Sequence, residues 1–171
     1  MRNSPVDDAL FMFKIIALFL ITAQAVFGQP QKPEIVAEPI PLFEQSLERD
    51  YLAPVSEHGA GHRGIDLKVE LDAELLSPVN GIITFADKLV DRDIVTVTSD
   101  SGKKYSFEPA CAIGGLGTKV SMGQVVANHC SPDNTYEYHC ESCIHFSVRS
   151  QFGYLSPLYM LAKLTPSRLT A

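Results

Sequence analysis

An all-β domain of the sandwich or open-barrel type is what this sequence predicts, on three observations. Apolar residues recur at every second position in short runs from Ile65 onward, Gly, Pro, Asn and Asp punctuate those runs at turn-forming spacings, and neither a long helical period nor an internal repeat is present. With 171 residues, 46% of them apolar and 20% charged, the chain has material for one core rather than two, so one domain with extensions is expected.

The elements follow in chain order. Lys14 precedes the apolar run Ile15 to Thr22 and then Ala23-Gln24-Ala25, an A-x-A cleavage pattern, so residues 1–28 read as an export signal with the mature chain starting near Val26 or Gln29. The competing reading is an uncleaved anchor that tethers the protein. Phe11 to Phe27 is short for a span and is interrupted by Lys14, while Asp7 and Asp8 make the leading region unusually acidic for a signal. Residues 29–57 contain Pro30, Pro33, Pro39, Pro41 and Pro54 and read as an extended linker, within which Leu42 to Leu52 has the pattern of one short amphipathic helix.

The domain is expected over residues 58–164, with a tail at 165–171. In "IDLKVEL", Ile65, Leu67, Val69 and Leu71 face one way and Asp66, Lys68 and Glu70 the other; extended backwards, the strand puts His62 and Gly64 on the side of Asp66. "SPVNGIITFA" reads as a turn and a strand, and "DIVTVTSDSGKKYSFEP" as a hairpin bending at Ser99 to Gly102. In that hairpin Tyr105 and Phe107 point inward, Ser106 and Glu108 outward. "GTKVSMGQVVA" reads as a further strand pair, "SCIHFSVRS" alternates again, and Pro157 opens a short C-terminal helix.

The net charge of -6 and the absence of a basic run argue against a protein that grips nucleic acid. Cys111, Cys130, Cys140 and Cys143 all follow the signal, and an even number in an exported chain points to two disulfides in any of three pairings. A disulfide at Cys143 would remove it as a nucleophile or ligand.

Chemistry concentrates on the polar faces of three strands. If these converge, His62, Asp66 and His145 supply two nitrogens and one oxygen, a three-ligand set suited to zinc with a fourth position open to water. Taken singly, a histidine on a strand is more often hydrogen-bonded or solvated than a ligand. A free Cys143 thiolate would instead close a structural zinc tetrahedron. A knuckle built from His129, Cys130, His139, Cys140 and Cys143 is opposed by export and oxidation, and Cys140-x-x-Cys143 lacks the helix of a redox motif.

From His58 to Leu161 the chain resembles the lysostaphin-type (LytM-like) zinc metallopeptidases, which cut peptide cross-links in peptidoglycan. "GHRGIDL" stands for the family's H-x-x-x-D segment, "SPVNGIITFA" for A-P-x-x-G-x-V and "GTKVSMGQVVA" for G-x-x-V-x-x-G-Q. "CIHFSVR" stands for H-x-H-F-E and "YLSPLYML" for the closing V-D-P segment. The resemblance implies an antiparallel sheet fold of the duplicated-hybrid-motif kind, with His62, Asp66 and His145 in the places of the zinc ligands.

It also exposes two departures. The first histidine of H-x-H is Cys143 here, and a second catalytic histidine, on the strand that usually reads Y-x-H-L, is Glu108. Actinobacterial members of the family show a similar pattern, which does not establish that such proteins cleave anything. Hydrolysis at zinc needs a base for the bound water and a stabiliser for the oxyanion. Glu108 is the candidate base, and His58, His129 or His139 would have to reach in from loops for the second task. A simple solvated strand residue, or one that holds a ligand in place, is the plainer reading of Glu108.

Whether the protein is an enzyme is thus left open. One expectation is an exported zinc protein that binds cell-wall stem or cross-bridge peptides, or regulates a cell-wall hydrolase, with a degenerate catalytic half. The other is an active endopeptidase with Glu108 as base. A biotinyl or lipoyl carrier domain is a further rival, because "SPVNGIITF" and "GTKVSMGQVV" resemble its half-barrel segments. Lys103 and Lys104 lack the flanking residues of a modified lysine.

Overall fold

Alternating runs become paired strands. A computed structural model describes residues 34–56, 58–130 and 142–163. The expected signal 1–28, the start of the linker, His139, Cys140 and the tail 165–171 lie outside these residues.

Among the described residues the larger sheet has eight strands. Its order is β1 (Leu47–Arg49), β2 (Gly64–Lys68), β10 (Cys143–Ser150), β6 (Lys104–Glu108), β5 (Arg92–Ser99), β4 (Gly81–Leu89) and β8 (Lys119–Val120), with β11 (Gly153–Leu155) hairpinned onto β10. A second, three-stranded sheet runs β3 (Glu74–Leu76), β9 (Val125–His129), β7 (Ala110–Ala112). Every strand pair is antiparallel.

The inward residues read from the first strand, the Tyr105 strand and the last strand make the core together with the valines of β5. Ile65, Leu67, Val95, Val97, Tyr105, Phe107, Ile144, Phe146 and Val148 are fully buried on one face of the large sheet, and Leu75, Val126 and Ala127 of the small sheet join them. Phe146 sits between Phe107 and Tyr105, with ring centroids 5.0 and 6.4 Å away. Each such side chain contributes roughly 1.5–3 kcal/mol by leaving water. Because side chains alternate, driving this row inward commits the neighbouring row, with Asp66, Glu108 and His145, to the opposite face.

Three local expectations change. The first strand stops at Lys68 rather than Leu71: Asp72 takes a left-handed φ of 65° and Leu71 turns out to solvent. "GTKVSMGQVVA" yields two strands that do not pair with each other, since β8 joins β4 and β9 joins β3 and β7. The turn around Gly123, with φ 81°, carries the chain from one sheet to the other. The C-terminal helix α2 (Pro157–Met160) forms as expected, with Pro157 in its first turn and the Ser156 hydroxyl accepting from the Tyr159 amide.

The expected linker 29–57 differs most over its described part. The compact unit starts at Ile35 rather than at 58. Ile40 and Phe43 are inserted into the core, the latter from a single helical turn, α1 (Phe43–Ser46), and the chain then runs as β1 along β2. Prolines excluded a long helix correctly, but they do not prevent extended backbone from packing on a sheet edge, and Ile40 and Phe43 supply the apolar area that holds it there. Lys163 clasps the same segment through Glu38 at 2.9 Å and Glu44 at 2.7 Å. The hydrogen bond between Lys163 and Glu44 lowers the Glu44 carboxyl and raises the lysine.

Cys111 is joined to Cys130, and Cys143 is disulfide-bonded as well, its partner lying outside the described residues. The first bridge staples β7 to the end of β9. No helix among the described residues is long and apolar enough to cross a membrane.

Candidate metal centre

β10 lies between β2 and β6, and its register builds the site. His145 is directly opposite Asp66 on β2 and directly opposite Glu108 on β6, which places all three side chains in one row on one face. His62, just before β2, is held by a reciprocal backbone pair with Leu52 and turns its ring toward the same row.

Three donor atoms converge. His62 Nε2 is 3.0 Å from Asp66 Oδ1, His145 Nδ1 is 2.8 Å from the same oxygen, and the two nitrogens are 3.1 Å apart. Asp66 and His62 are buried and His145 nearly so. The tautomer of His62 is fixed from behind: its Nδ1 lies 2.7 Å from the Asp50 carbonyl, which can only accept, so Nδ1 carries the proton and Nε2 presents a lone pair to the cluster. The cluster thus contains a lone pair from His62, an oxygen of Asp66 and one further ring nitrogen.

Such a triangle suits a cation. Separations of 2.8–3.1 Å are a little shorter than the ~3.3 Å between ligand atoms of a tetrahedral site with bonds of about 2.0 Å. Two imidazole nitrogens and one carboxylate oxygen are a donor set that zinc accepts, and the Asp50 carbonyl provides the outer hydrogen bond that orients a ligating histidine. His62, Asp66 and His145 therefore form a possible metal site, the set that the family resemblance implied.

Asp50 and Arg92 belong to the site's surroundings and escaped the sequence reading, as did the packing role of Gly64, which that reading placed on the Asp66 side. A Cβ on Gly64 would collide with the His145 ring and the Phe146 carbonyl, so only glycine lets the imidazole lie across β2. The H-x-G-x-D spacing carried that signal. The Asp50 carbonyl left none, because a backbone contact over 12 residues depends on tertiary packing.

Glu108 reaches the row as expected, but it is engaged: Arg92 Nε donates to its Oε2 across 2.7 Å. Cys143 stands two positions before His145 and is oxidised, so it is no thiolate ligand. His129 is buried in β9 with Nδ1 2.9 Å from the Glu70 carbonyl and is not part of the cluster. His58 is exposed on the wall of an adjoining groove, beyond Arg149 and Tyr154. Cys111 and Cys130 approach Asp93, but their disulfide leaves no thiolate for the metal knuckle considered above.

A groove of about 400 Å³ follows the same polar face. Glu108 and Arg92 stand at its metal-proximal end, Ser106, Ser147 and Thr96 along it, and Lys104, Arg149 and Tyr154 at the other end. Its size lies in the range of ligand clefts.

No family model matches the chain. Among curated proteins, the uncharacterized protein Rv2891 of Mycobacterium tuberculosis is 28% identical over 134 residues, covering 72% of this chain and 50% of its own length. The chain spans about half the length of the curated relatives it matches. Among solved structures, a chain of the SpoIIQ-SpoIIIAH pore-forming complex superposes with TM-score 0.61 at 19% identity, covering 77% of this chain and 94% of that one. Lysostaphin in solution gives 0.60 at 16%, covering 81% and 62%, and a zinc-containing peptidase from Vibrio cholerae gives 0.58 at 15%, covering 75% and 40%. These likenesses establish the fold: the chain has the all-β antiparallel architecture of lysostaphin-type peptidases.

Proposed function

We propose that the protein is an exported zinc-binding domain of the lysostaphin-type fold that holds cell-wall stem or cross-bridge peptides in its groove and does not hydrolyse them efficiently. The convergence of His62 Nε2, Asp66 Oδ1 and His145 Nδ1, with His62 locked in the ligating tautomer by the Asp50 carbonyl, carries the zinc assignment. Neighbours of the same fold that include a zinc-containing peptidase support it. Three disulfide-bonded cysteines of the described part, Cys111, Cys130 and Cys143, suit an oxidising compartment and support export.

Bound zinc would polarise a peptide carbonyl and acidify a water. The chain's own residues supply little to exploit that. The Glu108 carboxylate is already accepting from Arg92, Cys143 is oxidised, and none of the described histidines outside the ligand set joins the cluster. Absence of an oxyanion donor lowers rates on the order of a hundred- to a thousandfold. Peptide capture, alone or in support of a true cell-wall hydrolase, is the function that this arrangement favours.

The second reading, an endopeptidase with Glu108 as base, draws on the register that sets Glu108 directly opposite His145. Mass spectrometry of defined muropeptides incubated with the zinc-loaded protein separates the two. The proposal expects intact muropeptides. Water-added fragments from the parent that vanish in Glu108→Gln would establish the endopeptidase instead.

A further inference from the structure

The far end of the groove carries charge that the metal site does not use. Arg149 on β10 is directly opposite Lys104 on β6 on one side and Tyr154 on β11 on the other. Two cations directly opposite one another on a sheet repel. Neither joins an ion pair among the described residues, although the chain as a whole has a net charge of -6. Both side chains are solvent-exposed and line the groove.

Arg149 is also positioned. Its guanidinium carbon lies 5.4 Å from the centroid of the Tyr154 ring, and that of Arg63 lies 5.9 Å from the same centroid. The ring thus positions the Arg149 guanidinium, whose backbone neighbour is Lys104, and cation–π contact restricts the Arg149 rotamer without neutralising its charge. Two like charges side by side in a cleft, with the guanidinium oriented by the ring, make a recognition element for an anion, and a guanidinium fork matches a carboxylate best.

We propose that Lys104 and Arg149, the latter backed by the Tyr154 ring, form a carboxylate-binding subsite for an extended peptide whose other end lies at the His62–Asp66–His145 cluster. The proposal rests on the peptide-binding reading above and adds a specificity and a length to it. Arg149 lies four residue steps along β10 from His145, which at about 3.3 Å per step is ~13 Å. A peptide lying extended along the groove would therefore present its carboxylate about four residues from the group at the metal site. Between the two ends Gly64 and Ser147 keep the floor low, as a paired row of the smallest side chains.

The test is a binding titration by fluorescence anisotropy on the full-length protein with four labelled probes. These are a wall stem tetrapeptide with a free C-terminal carboxylate, its C-terminal amide, and tetraglycine in the same two forms. The stem acid is expected to bind roughly tenfold more tightly than the amide, as a charge-assisted contact would give. Added salt should narrow the gap, and the exposed double variant Lys104→Gln/Arg149→Gln should close it. Equal affinities for acid and amide, or a gap that survives in the variant, overturn the subsite while leaving wall-peptide binding intact. A gap seen with tetraglycine and no binding of either stem peptide supports the subsite and overturns the wall-peptide reading. No binding of any of the four overturns both.

Discussion

His62 donates from Nδ1 to the backbone carbonyl of Asp50 across 2.7 Å, so the segment preceding the expected domain orients one of the three candidate metal ligands. The reciprocal hydrogen bonds between Leu52 and His62, at 3.0 and 2.8 Å, fix the same junction. A stretch that composition alone presents as a tether is part of the site's outer layer.

Removing the residues before Ala53 should therefore weaken zinc binding by about 10- to 100-fold, the usual effect of losing an outer hydrogen bond to a ligating histidine. Competition against a chelator of known affinity measures it. Unchanged affinity would detach the segment from the site.

The packing of that segment is independently testable. Phe43 is only 2% exposed and fills the core. Phe43→Ala should lower unfolding free energy by about 3–5 kcal/mol in urea titrations. A loss under about 0.5 kcal/mol, as for an ordinary surface change, would mean the segment is a tether after all.

Gly64→Ala should abolish tight zinc binding, because the new methyl must share space with the His145 ring and the Phe146 carbonyl. Zinc titration followed by circular dichroism distinguishes this from general unfolding: the sheet signal should persist while zinc no longer raises the melting temperature.

Glu108→Gln should leave zinc content unchanged and alter stability by less than about 1 kcal/mol, since the Arg92 pair is partly solvated. Parallel metal analysis and thermal melts read both quantities. Loss of zinc in this variant would recast Glu108 as a support of the metal site.

Much of this was legible in the residues, for a physical reason. Period-two alternation records which face of a strand meets the core, so the inward side of Ile65 and Leu67, of Tyr105 and Phe107 and of Ile144, Phe146 and Val148, and the outward side of Asp66, Glu108 and His145, could be written down strand by strand. What alternation does not encode is pairing between distant strands. For that reason the separation of β8 from β9, the insertion of Ile40 and Phe43, and the Arg92–Glu108 pair emerge only in three dimensions. Cysteine pairing is of the same kind: four cysteines allow three connectivities, and proximity in the fold selects Cys111 with Cys130.

The central claim is that His62, Asp66 and His145 hold one zinc ion. Metal analysis of the purified protein by plasma mass spectrometry, beside His62→Ala, tests it most directly. The account predicts stoichiometric zinc in the parent after exposure to the metal and its loss in the variant. A zinc-exposed, folded parent that holds no zinc, or a His62→Ala protein that holds as much as the parent, would contradict it.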